Sequence, residues 1–139
     1  MNKFSAIIVS AALVIGTPAV NAQDNGDLAD ALNGYLEFVE YSGGTIQPKQ
    51  IPEEDLAKFF IIDARDAGQF EKERIPGATN IEWRQVVSRR SEIPKDKPVL
   101  IYCNTGSLSA QGGFALRLLG YENVLILQDG FEGWKAAQN

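Results

Sequence analysis

Three short, unbroken apolar runs mark the chain, at residues 59–62, 99–102 and 124–127. An apolar run without polar alternation is typical of a strand that is covered on both faces, as in a parallel sheet. Residues 45–47 form a shorter strand candidate, and Pro76 and Gly77 indicate a turn into another strand. The pattern therefore predicts several short strands, most of them buried.

Helical periodicity separates these runs. Apolar side chains recur at helical spacing over residues 27–40, 83–90 and 109–119. Residues 52–55 open a further short helix, with proline and acidic residues in its first turn. Short buried strands that alternate with helices predict a single α/β domain, with a central parallel β-sheet flanked by helices on both faces. Ligand sites in such sheets gather at the carboxyl ends of the strands.

The helix over residues 27–40 precedes this domain. We assign residues 23–43 to an N-terminal helical extension and residues 44–139 to the domain. Because an apolar stripe on a helix usually faces a core, we expect the helix to pack on the domain. The alternative is a dedicated partner-binding helix.

Residues 1–22 have the features of a secretory signal peptide. Lys3 is their only charge, an apolar run follows, and Val20, Asn21 and Ala22 form a small-residue cleavage pattern before Gln23. The run falls short of the roughly 20 residues that span a bilayer, although a retained anchor is the alternative. We therefore expect a periplasmic or secreted protein with no membrane attachment after signal cleavage. Such compartments are oxidising.

The composition excludes several kinds of catalytic and metal-binding site. The chain has 139 residues, one cysteine, no histidine and a formal net charge of −5. Without histidine there is no Ser-His-Asp triad, no Cys-His pair and no histidine-ligated zinc. A single cysteine excludes an internal disulfide and a cysteine-rich metal site. The acidic balance argues against a broad nucleic-acid interface. We expect no cofactor, no metal and no nucleic-acid partner.

The sole cysteine, Cys103, directly follows the apolar run at residues 99–102. A loop of mostly small and polar residues leads from it towards the next helix: Asn104, Thr105, Gly106, Ser107, Leu108 and Ser109. Such a strand–loop–helix turn presents backbone N–H groups and the positive end of the helix dipole to the first loop residue. These groups favour a thiolate and could hold an anionic substrate. The loop thus predicts a nucleophilic Cys103 in a substrate-binding nest, the alternative being a small buried hydrophobic residue.

Four sequence blocks carry a family resemblance: residues 62–65 with Phe70, then residues 74–81, 102–110 and 127–134. In these blocks the chain resembles the rhodanese family of sulfurtransferases. The resemblance implies that residues 44–139 form a rhodanese-like domain. In it, Cys103 would take a sulfane sulfur as a persulfide from thiosulfate, polysulfide or another persulfide, and pass it to a thiol or protein acceptor. The alternative function is a periplasmic carrier that delivers persulfide sulfur to a partner protein.

The chain departs from the family pattern at three positions. Leu108 stands where members often have an arginine that would clamp the sulfonate end of thiosulfate. Arg74 replaces a common histidine, and Asp129 replaces the first of two usual glycines. Related cysteine phosphatases need an arginine six residues after the cysteine, where this chain has Ser109, so we do not expect phosphatase activity.

Other polar residues near these blocks have structural interpretations. Asp63 and Arg65 follow a strand, and we expect a structural ion pair near the site rather than a catalytic one. Ser107 and Ser109 are expected to donate hydroxyls to the sulfur or to cap the following helix. Trp83 and Trp134 are interpreted as packing residues, and residues 89–90 as a solvated helix end.

Overall fold

The computed structural model describes residues 26–138, so the predicted signal peptide at residues 1–22 lies outside the described residues. The strands are β1 (Thr45–Ile46), β2 (Phe60–Asp63), β3 (Ala78–Asn80), β4 (Val99–Tyr102) and β5 (Val124–Leu127). The α-helices are α1 (Gly26–Phe38), α2 (Ala67–Lys72), α3 (Ser107–Leu118) and α4 (Gly130–Ala137). Short 3-10 helices cover Pro48–Gln50, Glu53–Lys58, Trp83–Gln85 and Arg90–Glu92.

The strands form one parallel sheet in the order β1-β5-β4-β2-β3. Strand β4 lies at its centre, with Leu100 opposite Ile61 on one side and opposite Leu125 on the other. Every residue of β4 is 0% exposed. The prediction of a parallel sheet with fully covered strands is therefore confirmed, and β4 delivers the residue that follows it to the sheet's carboxyl edge.

Helices cover both faces of the sheet, as predicted. Alternate residues of β4 point to opposite faces, because side chains alternate along a strand. Ile101 joins one core cluster with Ile62 and with Leu116 of α3. Leu100 joins a second cluster with Ile61 and with Phe131 of α4. The two tryptophans pack as interpreted, Trp83 against the first cluster and Trp134 against the second.

Helix α1 packs on the domain along one side only. The Tyr35 ring meets the Phe114 ring of α3 edge-on, with the centroids 5.1 Å apart. No residue of α1 is buried, and Leu36 and Phe38 remain 65% and 83% exposed. Within residues 26–138, no helix combines the length and the apolar character that crossing a bilayer requires.

The predicted helix over residues 83–90 is wrong. Its place is taken by the short 3-10 helix Trp83–Gln85 followed by turns. The Glu82 side chain accepts a hydrogen bond from the Arg84 backbone N–H at 3.1 Å, and Val86 is buried at 1% exposure. Because a 3-10 helix has about three residues per turn, it brings Trp83 and Val86 to the same side without a longer helix. Arg89 consequently does not end a helix over residues 83–90: it is the N-cap residue of the 3-10 helix Arg90–Glu92 and pairs with Glu92 at 2.7 Å.

Candidate active site

Cys103 lies at the carboxyl end of the central strand, where the chain leaves β4 and turns into α3. Gly106, the residue before α3, has φ of +99°, in the left-handed region that glycine adopts without strain. This turn folds the loop back over the cysteine, which is only 2% exposed. The sulfur is therefore enclosed by the loop's own backbone.

Hydrogen-bond donors converge on the Cys103 sulfur. The backbone N–H groups of Gly106 and Ser109 lie 3.2 and 3.4 Å from Sγ, and Ser109 Oγ lies 3.5 Å from it. Burial alone would raise the pKa of Cys103. The hydrogen bonds from the Ser109 side chain and from the Ser109, Thr105 and Gly106 backbones outweigh burial, and the net pKa is lowered. The nest thus favours the nucleophilic thiolate without histidine.

Ser109 is the most enclosed polar residue of the loop, at 0% exposure. Its hydroxyl lies 3.0 Å from the Gly106 carbonyl oxygen as well as 3.5 Å from Sγ. A hydroxyl has one proton, so it donates to one of these acceptors at a time. A negative charge on the sulfur would draw that proton towards Sγ.

The rest of the loop faces outward. Thr105, Ser107 and Leu108 are exposed, Leu108 at 39%, and Asn104 is partly buried. The cap role predicted for the two serines is wrong, because Gly106 is the N-cap residue of α3 and no side chain caps this helix. Residues 103–109 contain no charged side chain. Backbone amides, one hydroxyl and an apolar rim residue therefore define this site.

Asp63 and Arg65 form a buried ion pair beneath the loop, 0% and 7% exposed. Arg65 Nε and Nη2 donate to the Asp63 carboxylate at 2.9 and 2.6 Å, a bidentate contact. Hydrogen bonding to Asp63 raises the pKa of Arg65. The Arg65 guanidinium also donates to the Glu73 carbonyl and lies over the Tyr102 and Phe131 rings. The structural role expected for this pair stays a prediction.

The start of α4 also belongs to the site, which sequence reasoning missed. The backbone N–H groups of Phe131 and Glu132 donate to the carbonyl oxygens of Cys103 and Asn104, at 2.7 and 3.0 Å. The residue before them, Gly130, has φ of +56°. Residues 127–134 form one of the four blocks that resemble the family, but these are backbone contacts between segments distant in sequence. The residue types in the sequence therefore did not predict these hydrogen bonds.

No group of three or more histidine, cysteine, aspartate or glutamate side chains within residues 26–138 is arranged to hold a metal ion. What the site offers is a thiol whose pKa is lowered by a cluster of fixed donors. Once ionised, such a thiol attacks an electrophilic sulfur without a general base. The same donors stabilise negative charge on the sulfur or on an atom attached to it.

The family model described as "Rhodanese-like domain" matches residues 47–137. The thiosulfate sulfurtransferase GlpE of Coxiella burnetii is 36% identical over 76 residues, which cover 55% of this chain and 71% of that protein. An uncharacterised protein of Bacillus subtilis, YqhL, is 38% identical over 74 residues, and the match spans only 59% of its length. A solved rhodanese-like domain from Anabaena is 27% identical with a TM-score of 0.60, covering 67% of this chain and 74% of that one.

Proposed function

The chain belongs to the rhodanese-like domain family, and on that basis we propose that it is a sulfurtransferase whose Cys103 carries the transferred sulfur as a persulfide. The observation that carries the proposal is the set of N–H and O–H donors 3.2 to 3.5 Å from the Cys103 sulfur. These donors lower the pKa of the only cysteine in the chain. The named sulfurtransferase relative supports the same activity.

The proposed first half-reaction is attack of the Cys103 thiolate on the outer, sulfane sulfur of a donor. A bond forms between Sγ and that sulfur, and the bond joining it to the rest of the donor breaks. The departing fragment keeps the electron pair, leaving as sulfite from thiosulfate or as a shortened polysulfide. In the second half-reaction an acceptor thiolate attacks the terminal sulfur of the persulfide, and the electron pair returns to Cys103. Neither step needs a cofactor.

The donor that we favour has no sulfonate at its far end. Thiosulfate ends in a sulfonate, which an arginine would bind by two parallel hydrogen bonds. In place of such an arginine, the exposed rim residue is Leu108. Polysulfides and thiol persulfides make fewer demands on a cation, so we propose these as the preferred donors, with thiosulfate as a slower one.

A second candidate function is a persulfide carrier that hands its sulfur to a partner protein. Two observations favour it: the apolar rim at Leu108, and the extra helix α1, whose Leu36 and Phe38 are largely exposed. A carrier would load readily but turn over slowly with small acceptors. Because of the predicted signal peptide, we place this proposed carrier in the periplasm or outside the cell.

Intact-mass spectrometry tests the proposal directly. The reduced full chain is incubated separately with thiosulfate and with polysulfide, and we expect a gain of about 32 Da, one sulfur atom, that dithiothreitol reverses. Cys103→Ser should gain nothing. The proposal fails if neither donor adds mass, or if the serine variant gains the same mass. Fast turnover with cyanide or a small thiol as acceptor would exclude the carrier.

A further inference from the structure

The backbone N–H groups in the first turn of α4 have hydrogen-bond partners outside the helix. The N–H groups at a helix N-terminus lack partners within the helix and commonly bind capping side chains, water or anions. Here the N–H groups of Phe131 and Glu132 donate to the carbonyl oxygens of Cys103 and Asn104, at 2.7 and 3.0 Å. The N-terminus of α4 therefore holds the backbone of the reactive loop.

This contact fixes the direction of a donor to the sulfur. The Asn104 carbonyl and the Thr105 N–H belong to one planar trans peptide unit, so they point in opposite directions. When Glu132 N–H holds the Asn104 oxygen at 3.0 Å, the Thr105 N–H is turned the other way. That N–H contributes to the lowered pKa of Cys103. The next peptide carries the Gly106 N–H, which lies 3.2 Å from Sγ, so rotation here would displace donors from the sulfur.

Gly130 is what permits the close approach. A Cβ atom at this position would lie 2.4 Å from the Cys103 oxygen and 2.7 Å from the carbonyl carbon and oxygen of Asn104. All these atoms are backbone, so no side-chain rotation could relieve the overlap. The φ of +56° adds strain for any L-residue with a side chain. A larger residue at position 130 must displace the loop or α4.

A stack of side chains anchors α4 in this position. The Arg65 guanidinium lies 4.2 Å from the centre of the Phe131 ring, and Arg65 is itself held by the buried Asp63 carboxylate. The Phe131 ring also stacks on Tyr102, with the centroids 5.9 Å apart. The ion pair beneath the loop thus fixes the residue whose N–H holds the Cys103 carbonyl.

We propose that Gly130 and the backbone N–H groups of Phe131 and Glu132 are positioning residues for sulfur transfer, which hold the carbonyl groups of Cys103 and Asn104 and so keep the N–H groups of the following loop directed at the Cys103 sulfur. This rests on the proposed function for its biological meaning. The geometric statement concerns the thiolate itself and can be measured without any sulfur donor. Because Cys103 is the only cysteine in the chain, its alkylation reports on no other thiol.

The test compares Gly130→Ala with Gly77→Ala in the full chain. Gly77 also has positive φ, +80°, but a Cβ there meets nothing within 4 Å, so this variant controls for backbone strain. Iodoacetamide alkylation is followed from pH 5 to 10, with circular dichroism to monitor the fold. We expect Gly130→Ala to react about tenfold more slowly at pH 7, its profile displaced to higher pH, because a donor to the thiolate is lost. Gly77→Ala should keep the wild-type profile.

An unchanged profile in folded Gly130→Ala, or equal slowing in both glycine variants, would overturn the proposal. Should Gly130→Ala fail to fold, Glu132→Pro and Glu132→Ala decide. The proline removes the N–H within the first helical turn, whereas the alanine keeps it. Slow alkylation in the proline variant alone supports the proposal, and matching profiles contradict it. Mass gain with sulfur donors is scored separately, so wild-type protein that alkylates as expected but takes no sulfur would refute only the proposed function.

Discussion

The phenol of Tyr102 donates a hydrogen bond of 2.6 Å to the Asp63 carboxylate, at the end of the strand that precedes Cys103. Both residues are 0% exposed. Burial first, and the bond to Asp63 second, raise the pKa of Tyr102, so the phenol stays protonated and remains a donor. Its oxygen also accepts from the Ile75 N–H at 3.1 Å. One hydroxyl thereby joins β4, β2 and the segment before β3.

Tyr102→Phe should destabilise the domain by about 2–3 kcal/mol, because a buried carboxylate and a buried N–H each lose a partner. Urea unfolding checks this. Tyr121→Phe is the matched control: Tyr121 is 6% exposed, and its hydroxyl donates only to the neutral Arg90 carbonyl, at 2.8 Å. We expect about 1 kcal/mol for the control. Equal losses of unfolding free energy in the two variants would contradict a stronger contribution from the bond to the Asp63 carboxylate than from a bond to a neutral carbonyl.

Ser109→Ala should slow alkylation of Cys103 roughly threefold to tenfold at pH 7, since the serine hydroxyl is a donor that lowers the cysteine pKa. Ser107→Ala is the control, because Ser107 is exposed in the same helical turn. Its alkylation should match the wild-type rate. A similar effect of both substitutions would indicate a general disturbance of the helix start rather than the loss of a specific donor.

Leu108→Arg should accelerate loading from thiosulfate about tenfold while changing loading from polysulfide little, because the added guanidinium can bind a sulfonate. Leu119→Arg adds the same charge at another exposed leucine, 47% exposed and just beyond the other end of α3. Initial rates of mass gain measure both. Equal acceleration by the two variants would mean that net charge, not the rim of the loop, controls access of the anion.

The lowered pKa of Cys103 also predicts how stability depends on pH. Because the folded thiol loses its proton at a lower pH than the unfolded one, the unfolded state binds more protons in the interval between the two values. Stability from this group therefore rises with pH up to about 8.5, the ordinary thiol value, and is lost as pH falls through the folded pKa. The stability of wild type relative to Cys103→Ala, measured as the difference in unfolding free energy, should therefore grow as pH rises towards about 8.5. A difference that shrinks as pH rises would contradict the lowered pKa.

Much of the sheet followed from the apolar runs. The runs at residues 99–102 and 124–127 coincide with β4 and β5, because strands buried on both faces tolerate no polar alternation. Strand β3, Ala78–Asn80, has no apolar run and lies at the sheet edge, so only the preceding turn indicated it. Helix α2 begins at Ala67, and the side chain of its N-cap residue Asp66 accepts from the Gln69 N–H at 3.0 Å, but the helix is too short to show clear periodicity.

The site was predictable where it depended on local sequence and not where it depended on distant backbone contacts. The position of Cys103 after a buried strand and the small loop that follows indicated the nest. The hydrogen bond from the Phe131 N–H to the Cys103 carbonyl joins α4 to that loop through main-chain atoms, and no side-chain pattern encodes such a contact. Likewise, the Asp63–Arg65 pair was expected, but its stacking on Phe131 arises from the tertiary fold.

The most direct test of the account is transfer of a labelled sulfur. The full chain is loaded with polysulfide bearing heavy sulfur, freed of excess donor, and mixed with a thiol acceptor, while both protein and acceptor are weighed over time. We expect one labelled sulfur on the wild-type protein, absent from Cys103→Ser, to leave the protein and appear as a persulfide on the acceptor. Failure of Cys103 to load, or a loaded sulfur that reaches neither a small thiol nor a protein thiol, would contradict it.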